Sequence, residues 1–393
     1  MKDLRRLFGC VSLLLILLLA GCTEPPVPEV PDTSETEQNL EEQLLPNVYT
    51  SEYYKTILPY VSSETRGLVY SYLPNRYDID EFEMALMRHS QDYYSPDATY
   101  FQEGQYLSRD LVRGMLGRKK TKSELEEVLE TNPEYIDYGL NPANKSMTKI
   151  KGVDVNPVYL AYVLEQNYVI VEDDEQKLQG ISIGLALNPY QTYENEAGFP
   201  DVIQMDEEAL IEKGKELATQ VLSIIRQQEG LETVEVMIGL YVLEEESAVI
   251  PGDLVAKTKI AANSDKIREW VDVNEKYYLL PSSEVQSFDY ETSDQFRKFK
   301  ELIGDYYPHY YGVIGIAHAV DNQLVSLDIT INIEFYSLSE KLSLHQLVSK
   351  LIQENFSDHY EINVTIRSSD EIFGVLHRGV GESDITLKLT NWE

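Results

Sequence analysis

Residues 206–228 place Leu210, Leu217, Val221, Ile224 and Ile225 on one face of a helix, and Gly230 ends the pattern. The runs 178–187 and 233–243 on either side are apolar and read as strands. A strand, helix, strand unit of this kind must bury the apolar stripe of its helix against a sheet, which makes the chain an α+β protein. The order recurs downstream. Residues 324–336 read as a strand, 343–356 as a helix carrying Leu344, Leu347, Val348 and Leu351, and 361–366 as a strand. The recurrence points to an internal duplication over 151–270 and 271–393, although a shared element order also arises by chance in α+β proteins.

Upstream, residues 49–150 read as a mixed, mainly helical region. Asp78 caps a helix with Phe82, Ala85, Leu86 and His89 at helical spacing, and Ser108 and Ser123 open two shorter ones. Residues 100–107 alternate around Glu103-Gly104 as a hairpin would, and Asn156-Pro157 starts a helix bearing Leu160, Val163 and Leu164.

The amino terminus follows different rules. An apolar run over 11–20 follows Lys2, Arg5 and Arg6, and is shorter than the roughly 20 residues of a spanning helix. With the small residues Ala20 and Gly21 behind it, residues 1–21 read as a signal peptide. Leu19-Ala20-Gly21-Cys22 has the form of a lipobox, which predicts cleavage between Gly21 and Cys22 by a signal peptidase of the lipoprotein type. Cys22 then carries a diacylglyceryl group that holds the protein on the extracytoplasmic face of the cell membrane, since two acyl chains anchor stably where one does not. Residues 22–48, rich in Pro, Glu, Thr and Gln, read as a disordered tether. The other cysteine, Cys10, leaves with the signal peptide, so the mature chain has no disulfide to rely on.

The net charge is −34 over 393 residues, and removing Lys2, Arg5 and Arg6 with Asp3 makes it more negative. Such a chain repels nucleic acid and anionic headgroups, leaving the lipid as its attachment.

Motifs for chemistry are sparse. Gly180-Ile-Ser-Ile-Gly184 matches a nucleophile elbow, but Ser182 lies in a strand without the turn and helix that the elbow requires. Ser146-Met-Thr-Lys149 matches the acyl-enzyme S-x-x-K pattern without its partner motifs. His89, His309, His318, His345, His359 and His377 share no metal-ligand spacing, and Glu172-Asp-Asp-Glu175 lacks the alternation of a calcium loop. The sequence therefore predicts no catalytic residue, no metal and no cofactor. Tyrosine is abundant, with 28 residues and doublets at 53–54, 93–94, 277–278, 306–307 and 310–311. It either closes the edges of cores poor in Phe and Trp, or forms a surface for a wall glycan or an envelope protein.

Several blocks in order resemble the CamS family of Gram-positive sex-pheromone lipoproteins. They are Tyr53-Tyr-Lys-Thr-Ile-Leu-Pro-Tyr60 with Arg66-Gly-Leu68, Tyr100-Phe-Gln-Glu-Gly-Gln-Tyr-Leu107, Gly139-Leu-Asn-Pro142 and Val163-Leu-Glu-Gln-Asn-Tyr168, then Gly180-Ile-Ser-Ile-Gly-Leu-Ala-Leu-Asn188, Pro251-Gly252, Trp270-Val-Asp-Val-Asn-Glu275 and Leu280-Pro-Ser-Ser283. The resemblance implies that a peptide trimmed from the end of the signal sequence acts as a mating pheromone. Here that heptapeptide is Leu15, Ile16, Leu17, Leu18, Leu19, Ala20 and Gly21. Family peptides begin with alanine and carry a central phenylalanine; this chain has Leu15 and Leu17 in those places. The resemblance supplies no active site for the mature body.

Overall fold

The computed structural model describes residues 53–390 except 173, 174, 308, 309 and 336, together with the short strand Gln43–Leu44. Cys22, Gly21, the heptapeptide and the tether therefore lie outside the described residues.

Two large sheets organise the body. In the first, the strands β1 (Lys55–Leu58), β2 (Tyr100–Glu103), β3 (Leu160–Glu172), β4 (Glu175–Leu187), β5 (Glu235–Val242), β6 (Asp253–Ile260) and β7 (Val271–Asp272) lie side by side in that order. Helices cover both faces. Along β4, Ile181, Ile183, Leu185 and Leu187 point into a core with α2 (Arg109–Leu116) and α4 (Glu207–Ile225). The alternate positions face α1 (Ile79–Ser90), whose Phe82 and Leu86 pack with Tyr94, Tyr162, Tyr168 and Tyr241. This second face is lined by Gly180, Ser182, Gly184 and Ala186 because a helix and large rings lie directly on it. A Cβ at Gly180 would clash with Cε1, Cζ and the hydroxyl oxygen of Tyr94, and one at Gly184 would meet Phe82 Cζ at 2.5 Å.

The helices begin at polar caps. Asp78 accepts from Glu81 N at 3.2 Å, Ser108 from Leu111 N at 3.3 Å, and Thr121 with Glu124 forms a capping box on α3 (Lys122–Thr131). That third cap corrects the expected start at Ser123: the threonine two residues earlier has the Glu three positions on that completes the box.

The second sheet holds β8 (Glu275–Leu280), β9 (Tyr310–Val320), β10 (Gln323–Ile333), β11 (Glu361–Arg367), β12 (Ile372–Arg378) and β13 (Thr386–Leu389), again in chain order. Helices α5 (Ser283–Phe288), α6 (Tyr290–Tyr306) and α7 (Leu338–Asn355) accompany it. Phe296, Phe299, Leu344 and Val348 from α6 and α7 pack on Leu327, Ile329, Ile331, Ile362 and Val364. From β2 to β7 the pairings run antiparallel, antiparallel, parallel, antiparallel, antiparallel, and from β8 to β13 they run the same way. In each sheet the parallel step is crossed by the long helix, α4 or α7.

The α+β class expected from the sequence is what the chain adopts. Two local expectations fail. The helix from Asn156-Pro157 is the strand β3: residues 160–169 are all buried, so the apolar positions reflect cover on both faces of a sheet rather than a helical stripe. The hairpin at 100–107 is absent as well. Only β2 forms, pairing with β3, and the backbone after it turns to a buried carboxylate instead of a partner strand.

Candidate functional site

The blocks that carried the resemblance come together as structural joints. Glu165, 3% exposed, accepts the backbone N–H groups of Gln105 (3.1 Å) and Tyr106 (3.0 Å) on Oε1 and of Leu107 (2.8 Å) on Oε2. Burial pushes this carboxyl up, while those donors pull it down. Asn141 saturates its amide: Nδ2 donates to the carbonyls of Leu116 and Leu160, and Oδ1 accepts from the N–H groups of Tyr159 and Leu160, all within 3.0 Å.

Ser182 is fully buried in the middle of β4. Its hydroxyl pairs with Ser90 Oγ at 2.7 Å and with the Tyr168 hydroxyl, Ser90 donates to Leu86 O and Tyr168 to Gln166 Oε1, so the hydroxyls run to backbone and an amide and not to an imidazole. Ser146 is exposed in a turn, and Lys149 Nζ faces Asp154 at 3.3 Å. Glu172, the last residue of β3, pairs with Lys177 of β4 at 2.9 Å. Among the described residues, no group of three His, Cys, Asp or Glu side chains is arranged to hold a metal ion.

The tyrosine doublets split between core and surface. Tyr54, Tyr94, Tyr277 and Tyr307 are buried, whereas Tyr53 and Tyr306 are exposed and Tyr93 and Tyr278 half-buried. Tyr94 stacks on Tyr168 at 4.5 Å. In these four doublets one ring closes the core and its neighbour lies at least partly outside.

Sequence reasoning did not foresee the meeting of α1 with β8 and β9. Glu275 accepts from Arg88 Nε and NH2 at 3.0 Å each, and Arg88 NH2 also reaches Glu81 at 2.9 Å. His89 Nε2 lies 3.2 Å and His318 Nε2 3.9 Å from Glu275 Oε1. Lys257 of β6 lies 3.0 Å from His89 Nδ1 and pairs with Asp92, while Tyr277 stacks on His318 at 4.5 Å. Burial alone would raise the Glu275 carboxyl; the contacts with His89 and Arg88 outweigh it and hold it at about 2. Burial, with the Arg88 charge, lowers His318 to about 4. The group is charged and packed, with the Nε2 atoms of His89 and His318 buried beside the Glu275 carboxylate without a hydrogen bond of their own, and its position suits a joint between the sheets.

A cleft opens elsewhere. It has a volume of about 260 Å³ and is lined by Pro189 and Tyr190 after β4, Val242 and Leu243 at the end of β5, Glu207 at the start of α4, and Asp253. A second hollow of about 540 Å³ shares Glu207, Asp253, Val255 and Lys276 with it. Asp253 Oδ1 accepts from Tyr277 N at 3.3 Å, and burial pushes its carboxyl up to about 7.

Two six-strand arrangements of matching pairing sense, joined by a buried ion-pair cluster, define an α+β body. The chain belongs to the CamS family: the family model described as CamS sex pheromone cAM373 precursor matches residues 60–384. Among solved structures, it is similar to a sex pheromone precursor from Lactobacillus salivarius subsp. salivarius UCC118, with 25% identity, a TM-score of 0.77, and coverage of 90% of this chain and 100% of that one. The C-terminal domain of the sex pheromone staph-cAM373 precursor from Staphylococcus aureus has the same fold, with 22% identity and a TM-score of 0.67 over 81% of this chain and 98% of that one. No curated protein matches the chain.

Proposed function

We propose that this chain is a lipoprotein precursor with two products: a peptide from the end of its signal sequence, Leu15 to Gly21, and a non-catalytic body held by diacylglyceryl-Cys22 outside the cell membrane. The observation that carries this reading is the run Leu19-Ala20-Gly21-Cys22 behind a short apolar segment, in a member of a pheromone-precursor family. Among the described residues no helix is long and apolar enough to cross a membrane, which is consistent with attachment by lipid. The environments of Ser182 and Ser146 support a body without a serine nucleophile. Mass spectrometry of the mature N-terminus and fractionation of a Cys22→Ala variant test the anchor: the variant leaves the membrane pellet, and its retention at wild-type level overturns the reading. Fluorophosphonate and penicillin probes leave the protein unlabelled; stoichiometric labelling at either serine overturns the non-catalytic part.

A second reading, a binding module for a wall glycan or an envelope protein, is favoured by the rings left outside, above all Tyr60 at 59% and Tyr72 at 101% exposure. Sedimentation with isolated cell walls, lost on Tyr60→Ser and Tyr72→Ser substitution, separates it from the first.

A further inference from the structure

In open sheets the carboxyl ends of parallel strands leave a crevice beside the start of the crossover helix, and ligands of α/β proteins sit there. The pair β4 and β5 is parallel and crossed by α4, and the cleft over Asp253 occupies that crevice. The charges around it are unevenly satisfied. Lys151 already faces Asp206 at 3.4 Å, and Lys276 faces Glu284 at 3.2 Å. Among the described residues, no lysine or arginine comes within 4.0 Å of the carboxylates of Asp253 or Glu207, both of which line the cleft. Asp206, the residue before α4, makes no side-chain bond to the first turn of the helix, and its charge is met by Lys151. Beside these acids stand the apolar walls formed by Val242, Val255 and the ring of Tyr190.

We propose that this cleft binds an alkylammonium group, as carried by a lysine side chain or a peptide amino terminus, with Asp253 as counter-ion at the floor and Glu207 at the rim. The alkyl stem lies on Val255 and Tyr190. This goes beyond the anchor and peptide reading and does not depend on it. A carboxylate taken out of water is costly, and at Asp253 burial, with the charges of Glu244 and Glu207, outweighs the Tyr277 N–H and the Lys276 charge and pushes the carboxyl up to about 7. A bound ammonium removes the reason for the proton, so binding at pH 6 releases a proton to the buffer.

Calorimetric titration of the detergent-solubilised full chain at pH 8 tests this with three probes. Nα-acetyl-lysine amide carries a side-chain amine, glycyl-alanine amide carries a terminal amine, and Nα-acetyl-norleucine amide carries none. At least one of the amines binds saturably and about tenfold or more tighter than norleucine, the gap expected for losing an ion pair in a partly buried site. The amine that binds identifies the source. Asp253→Asn reduces that binding by at least about tenfold with an unchanged circular dichroism spectrum. Should that variant not fold, the exposed Glu207→Gln reads instead, with a loss of severalfold. Equal binding of norleucine and both amines, or full binding by the folded Asp253→Asn protein, overturns the proposal, as does full binding by Glu207→Gln where that variant is the one read.

Discussion

The carboxylate of Glu275 at the start of β8 accepts both Nε and NH2 of Arg88 near the end of α1, a residue 187 positions earlier. The pair ties the helix on the first sheet to the first strand of the second. Glu275 is 7% exposed and Arg88 keeps one edge in solvent, so removing the acid leaves the guanidinium with Glu81 alone in a partly dry place. Glu275→Gln is expected to lower stability by about 2–4 kcal/mol, and the Arg88→Met, Glu275→Gln double variant by less than the sum of the single changes. Urea unfolding measures both; additive losses would show that the two side chains do not act as a pair.

The pH dependence of stability separates the buried acids. Asp253 holds its proton in the fold to about 7 against an ordinary 3.8, so between those values the folded chain binds the extra proton and this carboxyl lowers stability as pH rises. His318, lowered by burial to about 4 from 6.5, acts oppositely over its own window, raising stability as pH rises from 4 to 6.5. Glu275, held at about 2, contributes fully above its ordinary 4.5 and loses that contribution as pH falls through 2. Asp253→Asn is therefore expected to gain stability over the wild type progressively from pH 4 to pH 7 and to hold a constant gain above it. A gain independent of pH across that range would contradict a buried, protonated Asp253.

Gly180 and Gly184 lie under Tyr94 and Phe82, rings that are 0% and 1% exposed and have no space to retreat. Gly180→Ala or Gly184→Ala lowers stability by about 1–3 kcal/mol through overpacking. Ser182→Ala, between them, removes one hydroxyl from a chain of neutral hydrogen bonds and costs about 1 kcal/mol. Thermal unfolding of the three variants checks the order; a Gly180→Ala protein as stable as wild type would refute the close approach.

The proposed heptapeptide, Leu15 to Gly21, has Leu17 where the pattern implied by the family resemblance has an aromatic ring. A lost ring in an apolar receptor pocket removes contact worth about 1–3 kcal/mol, or roughly ten- to a hundredfold in affinity. Synthetic LILLLAG is expected to elicit no mating response from recipient cells at concentrations where the alanine-initiated, phenylalanine-bearing peptide is fully active. Equal potency would show that the aromatic position does not set recognition.

Local grammar determined much of this protein. The apolar stripe through Leu210, Leu217 and Val221 and the capping residues Asp78 and Ser108 fix helices wherever they are packed, because period and caps are properties of a few neighbouring residues. The α+β class followed from the order of such segments. The tertiary structure alone decided the rest. Residues 160–169 carry the same letters whether they line one face of a helix or lie between two helical layers, and only cover on both faces made them β3. Glu165, Glu275, His89, His318 and Asp253 are ordinary polar residues in the sequence. Their roles come from what the fold brings together: burial raises the Asp253 carboxyl to about 7, while Arg88, 187 positions earlier, and His89 hold the buried Glu275 carboxyl at about 2, which no local pattern can encode.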